Sequence, residues 1–392
     1  MKKRLSSTTR TLWVHAGAHK TGSTSIQNYL NQHGVPRTTS RKIFYKTKLY
    51  DQEIEFLEAG NGQGFVDQLL GDLDQESLQL VMKDFLGNAN EGLISCENLA
   101  ALSAKHWEKF KEAGAASRIE LKVIIFIRDL MPFMSSDYDQ HLRHGLTAED
   151  FNHWCMSANW SHATALRSLA QVFALGSLRV LHYESAKGSL FLKFFEALGL
   201  EGPDFKMVDN KALMLNTALS NVQRDLLIWI NNSFKGQNDF SQIVIARALQ
   251  NTSANAQREK PDYNLETFNS MSLKFTSEKD WINRTFFGGR PVVSLGDSYN
   301  SQRTSATGSG SAHIVETYRS VLAAMLKKAN VESCVLEQMK KINKQKLSDQ
   351  AIPNDFCPAA YLLKNTDLIS PEFDFLDHFL QHGKAESRPY KW

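Results

Sequence analysis

The sequence predicts an α/β fold: a parallel sheet flanked by helices, with a mostly helical C-terminal extension. Three observations carry that expectation. Short apolar runs alternate with stretches of helical periodicity as far as Leu200. The run "VIIFI", Val123 to Ile127, holds no polar residue, as a strand covered on both faces requires. The first run, "TLWVHAG", ends in a glycine turn and opens onto a helical pattern, the start of a strand–loop–helix unit.

Taken in order, "TLWVHAG" is the first strand, and Ile26, Tyr29 and Leu30 place a helix from about Ser23 or Thr24. "DQESLQLVMKDFLGNANEGLISCENL" reads as a capped helix ending near Gly87, then a strand through Leu93, Ile94 and Ser95. "LKVIIFIRD" is the third strand. "GSLRVLHYESAKGSLFLKFFEALGL" supplies a fourth and another helix. From Phe205 to Phe287 the pattern is mainly helical, interrupted by a polar loop, "NTSANAQREKPDYN". A Ser/Thr/Gly-rich linker at 298–312 separates an α/β domain, 1–297, from a helical extension, 313–392. In that extension Val315, Tyr318, Leu322, Met325 and Leu326 share one helix face, and "KKINKQK" reads as a solvated helix end. A compact, aromatic-dense piece occupies 353–392.

Composition narrows the partners. With 42% hydrophobic and 22% charged residues the chain reads as globular, and a net charge of +3 gives no global field to recruit nucleic acid or a membrane. The basic N-terminus is followed by an apolar patch broken by His15 and His19, so no signal peptide is expected, and no window approaches the roughly 18 apolar residues of a membrane span. Cys96, Cys155, Cys334 and Cys357 are scattered without metal or disulfide spacing, which suggests reduced thiols and a cytoplasmic setting.

The chemistry concentrates in "GAHKTGSTS", residues 17–25. Gly17 and Gly22 are spaced as in a phosphate-binding loop, which makes the predicted fold P-loop-like. Ser23, however, occupies the slot of the usual lysine, and Lys20 lies inside the loop. Gly22 permits a tight turn. The N–H groups opening the helix, the hydroxyls of Thr21, Ser23, Thr24 and Ser25, and the Lys20 charge form an anion site. The alternative is a glycine turn with incidental hydroxyls. Arg128 ends the third strand, at the sheet edge where open α/β folds bind ligands, and Ser136 follows about two helical turns later. Arginine and serine can clamp one phosphate. A strand-end arginine can equally pair with a carboxylate, and Asp129 is adjacent.

Together these two elements resemble the sulfotransferases that use 3'-phosphoadenosine-5'-phosphosulfate (PAPS), with the flavour of bacterial carbohydrate and heparan-type enzymes. "HAGAHKTGSTSIQNYL" is similar to that family's 5'-phosphosulfate loop, and "RDLMPFMSSDY" to its 3'-phosphate element. "VLHYES", "MLNTALS" and "FTSEKDWINRTFFGG" are weaker echoes, and the resemblance spans about residues 10 to 290. The family often has proline two residues after the arginine and a second arginine at plus five. Here those positions are Leu130 and Phe133, with proline at Pro132.

The resemblance implies PAPS as donor, bound by Lys20, Thr21, Gly22, Ser23, Thr24, Ser25, Arg128 and Ser136, and a glycan or glycoside acceptor. Lys20 would then stabilise the leaving group, and Glu97, just past the second strand, would take the acceptor proton. A helix-terminal carboxylate favoured by the macrodipole is the other reading of Glu97. His19 is an alternative base, whereas His15, on the strand, reads as a satisfied core histidine. His141, Arg143 and His144 could meet an anionic glycan or form a solvated helix end. No metal is expected. A nucleotide kinase or ATPase is disfavoured by Ser23, and a non-catalytic binding protein stays open.

The C-terminal segment resembles a short module of bacterial glycan-synthesis proteins through Tyr361-Leu362, Asn365, Asp367, His378, Gly383, Glu386 and Arg388, with Phe379 in place of tyrosine. A small helical cap is its plainer reading.

Overall fold

The computed structural model describes residues 9–36, 41–46, 60–71, 74–200, 219–233, 260–296, 361, 378–383, 385–386 and 388. The chain divides into two units. The first comprises Met1–His141, Glu149–Ser220 and Gln257–Arg303. The second comprises Leu142–Ala148, Asn221–Ala256 and Thr304–Trp392.

The first unit is built on β1 (Arg10–Ala16), α1 (Ser23–His33), α2 (Gln63–Leu70), α3 (Gln75–Leu86) and β2 (Glu91–Cys96). These are followed by α4 (Ala104–Ala116), β3 (Ile119–Ile127), α5 (Leu130–Arg143, of which Leu142 and Arg143 are counted with the second unit), α6 (Phe151–Ser157) and α7 (Ser161–Val172). Then come β4 (Leu178–His182), α8 (Tyr183–Ala186) and α9 (Leu190–Ala197). Helix α10 (Asn221–Ser233) lies in the second unit, and α11 (Leu265–Phe287) returns to the first.

All four strands are parallel, in the order β2-β1-β3-β4. The register sets Val14 beside Ile94 and Val123, and Ile127 beside His182. The parallel sheet flanked by helices is therefore as the sequence predicts. Residues Val123 to Ile127 are fully buried, as two covered faces demand. On one face Trp13, Ile124 and Phe126 pack with Ile26 and Leu30 of α1 and Phe194 of α9. On the other, Leu12, Phe85 and Leu86 crowd over Gly92, and Phe65, Phe110 and Trp107 stack beyond. Burying each such side chain stabilises the fold by about 1.5–3 kcal/mol.

Helix ends follow the local chemistry. Asp74 accepts the Ser77 N–H at 2.8 Å, and α3 stops at Gly87, where the expected cap lies. Asn264 caps α11 through Thr267, and Gly288 ends it in the left-handed conformation. Of the predicted polar loop at 251–264, residues 260–264 are described and are irregular. The linker at 298–312 and the helical face from Val315 to Leu326 lie outside the described residues.

In the second unit Leu226, Leu227 and Ile230 are buried, and Asn231 donates to the carbonyls of Leu142 and Thr147. Buried Tyr361 and Phe379 meet edge to face, and Tyr361 is 3.0 Å from His378 Nδ1. Arg388 pairs with Glu386, and its backbone N–H donates to Gly383. Among the described residues no helix is long and apolar enough to cross a membrane. Cys96 and Cys155 are buried free thiols, pushed up to about 12 by burial.

Candidate active site

Parallel strands bring β1, β2, β3 and β4 to one edge at their C-terminal ends, and the predicted chemistry gathers there. Gly17 continues the ladder, donating to the Cys96 carbonyl at 3.1 Å, and the chain then turns through residues 18–22 into α1. A Cβ on Gly17 would sit 2.8 Å from Ser23 Cβ, so the close approach of loop and helix requires glycine. Gly22 has φ 78°, and a Cβ there would meet Leu190 at 2.6 Å. Lys20 also takes a positive φ, 64°, a conformation that costs a side-chain-bearing residue about 1–2 kcal/mol.

Glu97 opens a short helical turn directly after β2 and reaches the loop. One oxygen, Oε1, accepts the Ser23 hydroxyl and lies 3.5 Å from the Thr24 hydroxyl; Oε2 is 3.3 Å from His19 Nδ1. Burial pushes the Glu97 carboxyl up, but hydrogen bonds from His19 and Ser23 and the nearby Lys20 charge outweigh it, so its pKa is lowered. The bond to Glu97 raises His19 against its own burial. Lys20 acts electrostatically on His19, Glu97 and Asp137 alike, so these groups share one neighbourhood. Asp137, on α5, is raised by burial. Thr21 is buried and donates to the Ala18 carbonyl at 2.6 Å, which tightens the turn. Ser25 stands in the first turn of α1, half-buried.

Arg128 emerges from β3 already engaged. Its Nε donates to Glu184 Oε1 at 2.8 Å, its Nη1 to the Lys20 carbonyl at 3.1 Å, and its guanidinium lies 5.0 Å from the Tyr183 ring centre. The carboxylate beside it is thus Glu184, in α8 just past β4, and not Asp129. Glu184 also accepts the Asp129 N–H and faces His182 Nε2 at 3.2 Å; that nitrogen is 3.1 Å from Asp129. Burial opposes charge on both partners. Hydrogen bonds win: those to Asp129 and Glu184 hold His182 up at about 9, and those from His182 and Arg128 hold Glu184 down at about 2.

Asp129, His182 and Glu184 bring ligand-type atoms within 4.8 Å of one another, a cluster that sequence spacing did not reveal. Its atoms are tied to Arg128, to Ser185 Oγ and to the Ser294 N–H. Residues 294 and 295 also take the N–H groups of Leu130 and Met131, which closes the N-terminus of α5. The other side of that strap lines an open cavity of about 750 Å³, with Phe268, Ser272 and Arg284, and contains none of the predicted residues.

Ser136 stands half-buried in the second turn of α5, and no hydrogen bond joins its hydroxyl to Arg128. His15 is fully buried and neutral, held down at about 4 by burial, with Nδ1 2.8 Å from Ser95 Oγ: a core residue, as expected, though its Nε2 is buried without a hydrogen-bond partner among the described residues. His141 packs beside Trp154 and is 2.9 Å from the Asp137 carbonyl. Arg143, half-buried, and His144, exposed, end the same stretch. The sequence reading missed His162, at the start of α7. A histidine at an otherwise apolar helix position was the available signal.

No family model matches the chain, and no curated protein matches it. Among solved structures it is similar to a sulfotransferase from Alicyclobacillus acidocaldarius, at 17% identity and a TM-score of 0.32, over 60% of this chain and 99% of that one. The roles of the residues above rest on the geometry of this chain alone.

Proposed function

We propose that the chain is a PAPS-dependent sulfotransferase that transfers a sulfuryl group to a hydroxyl of a carbohydrate acceptor. The observation that carries this reading is the meeting, at one sheet edge, of an anion loop with an internal lysine, an ionised carboxylate and a strand-end arginine. Sulfuryl transfer needs little covalent work from a protein. It needs an acceptor held in line, charge stabilised on the leaving phosphate, and a base for the acceptor proton.

In this reading the loop, with Lys20, Thr21, Gly22, Ser23, Thr24 and Ser25, holds the 5'-phosphosulfate, and Arg128 with Ser136 serves the 3'-phosphate. The acceptor oxygen bonds to sulfur as the bond from sulfur to the bridging oxygen breaks. The electron pair leaves with the nucleotide phosphate, where Lys20 offsets the developing charge. The acceptor proton passes to Glu97, whose lowered pKa keeps it ionised and able to accept. His19, hydrogen-bonded to Glu97, is the second candidate for that proton.

Calorimetry with adenosine 3',5'-bisphosphate against ATP–Mg tests the donor. Tight binding of the bisphosphate that weakens when the 3'-phosphate is removed is expected. Preference for ATP–Mg, or indifference to the 3'-phosphate, would overturn the reading.

A further inference from the structure

Two neighbouring carbonyls of the anion loop are held by side chains that arrive from distant elements. His162 Nε2 is 2.8 Å from the His19 carbonyl, and Arg128 Nη1 is 3.1 Å from the Lys20 carbonyl. On its other side, His162 Nδ1 receives the backbone N–H of Arg128 at 3.1 Å. That N–H can only donate, so Nδ1 is the acceptor and the ring proton resides on Nε2, which donates to His19. One imidazole therefore ties the loop to the end of β3. The ring is 1% exposed and packs on Phe133 with centroids 4.3 Å apart, which fixes its plane. Burial keeps it neutral, down at about 3, so it retains both a donor and an acceptor at ordinary pH.

This tie lies next to the strained position. Lys20 sits at φ 64° between the two held carbonyls, and a strained backbone persists only where its surroundings over-determine it. We propose that His162 is a positioning residue that sets the spacing between the Lys20 loop and Arg128, and thereby the register in which one ligand spans both. Leucine or phenylalanine would fill the same space without either bond. The ring's two opposed nitrogens are what the tie requires. The proposal rests on the donor assignment above, in which a 5' group lies in the loop and a 3'-phosphate at Arg128.

The test compares adenosine 5'-monophosphate with adenosine 3',5'-bisphosphate by calorimetry on wild type and on His162→Leu, His162→Gln and His162→Asn. The readout is the ratio of the two affinities, alongside thermal unfolding. A register role predicts that the bisphosphate advantage shrinks by about five- to tenfold in His162→Leu, within the usual range of coupling between linked sites. Gln, which can keep the bond to His19, and Asn, which can keep the bond from Arg128, should each recover part of it. A purely structural role would weaken both ligands equally and leave the ratio at its wild-type value; that result overturns the proposal. If His162→Leu does not fold, Gln and Asn decide it: a ratio reduced in both sustains the proposal, and an unchanged ratio in either overturns it. Should wild type itself show no bisphosphate advantage, the donor assignment fails, and this inference with it.

Discussion

The two halves of the site differ in how much of their charge is already matched. On the loop side, Glu97 is bound by hydroxyls and a half-exposed histidine, groups that a ligand or a proton can displace. On the strand-end side, Arg128, Glu184, His182 and Asp129 form a closed ionic set, with side chains 8–20% exposed. The same residue types thus serve different ends. The loop half is organised for exchange, whereas the strand-end half is organised to stay put. An arginine seen in a motif marks where positive charge lies; its partner decides how much of that charge a ligand can claim.

The sharpest way to break this contrast is Glu97→Gln. If the loop half exchanges protons, sulfation should fall about 10²- to 10⁴-fold while bisphosphate affinity and melting temperature hold. Retained activity in a sulfate-transfer assay would move the base to His19. Glu184→Ala probes the other half. Removing the partner of a mostly buried cation should cost about 3 kcal/mol of stability in urea unfolding, because Arg128 and His182 each lose a carboxylate and the Asp129 N–H loses its acceptor. A loss no larger than that of a surface substitution would erase the distinction. Arg128→Ala should weaken bisphosphate binding by about 1.5–3 kcal/mol and leave 5'-monophosphate binding less affected, since only the former reaches the strand end.

The pH profile tests the buried histidines of both kinds, and its two limbs run in opposite directions. His182, raised to about 9, contributes stability that is full below its unfolded value of 6.5 and is lost as pH climbs through 9. His15 and His162, lowered to about 4 and about 3, act the other way. Below pH 6.5 the unfolded chain takes up protons that these buried rings refuse, so stability falls on acidification. Denaturation midpoints at pH 5, 7 and 10 should therefore peak near neutrality, and His182→Gln should flatten the alkaline side. Ring NMR should show His182 titrating near 9 and His162 unchanged down to about pH 5.

Much of the scaffold was legible because its determinants are local. The apolar run at Val123 to Ile127, the cap at Asp74 with the stop at Gly87, and the glycine turn before α1 each follow from a few adjacent residues. Glu97 and Lys20 were legible for the same reason, each lying just past a strand. The network around Arg128 was not. Glu184 stands 56 residues away in sequence, and the spacing within "RD" and "HYES" says nothing of which carboxylate folds onto the arginine. The strap at 294–295 was hidden likewise: it binds through backbone groups, which carry no residue signature. His162 has no neighbour in sequence that reveals its role, which depends on what faces both sides of its ring.

Strand order carries one more consequence, for how the molecule is made. Among the described strands β1 comes first in sequence yet lies inside the sheet, so its neighbours arrive late. Glu97 closes onto Ser23 across 74 residues, Arg128 onto Lys20 across 108, and His162 onto His19 across 143. A ribosome must pass His162 before the loop near the N-terminus acquires its last strut, and long closures of this kind slow folding. Until then the His19 carbonyl, beside the strained turn at Lys20, lacks the bond from His162. The loop precedes its struts in the chain, yet it is complete only once the most distant of them has arrived.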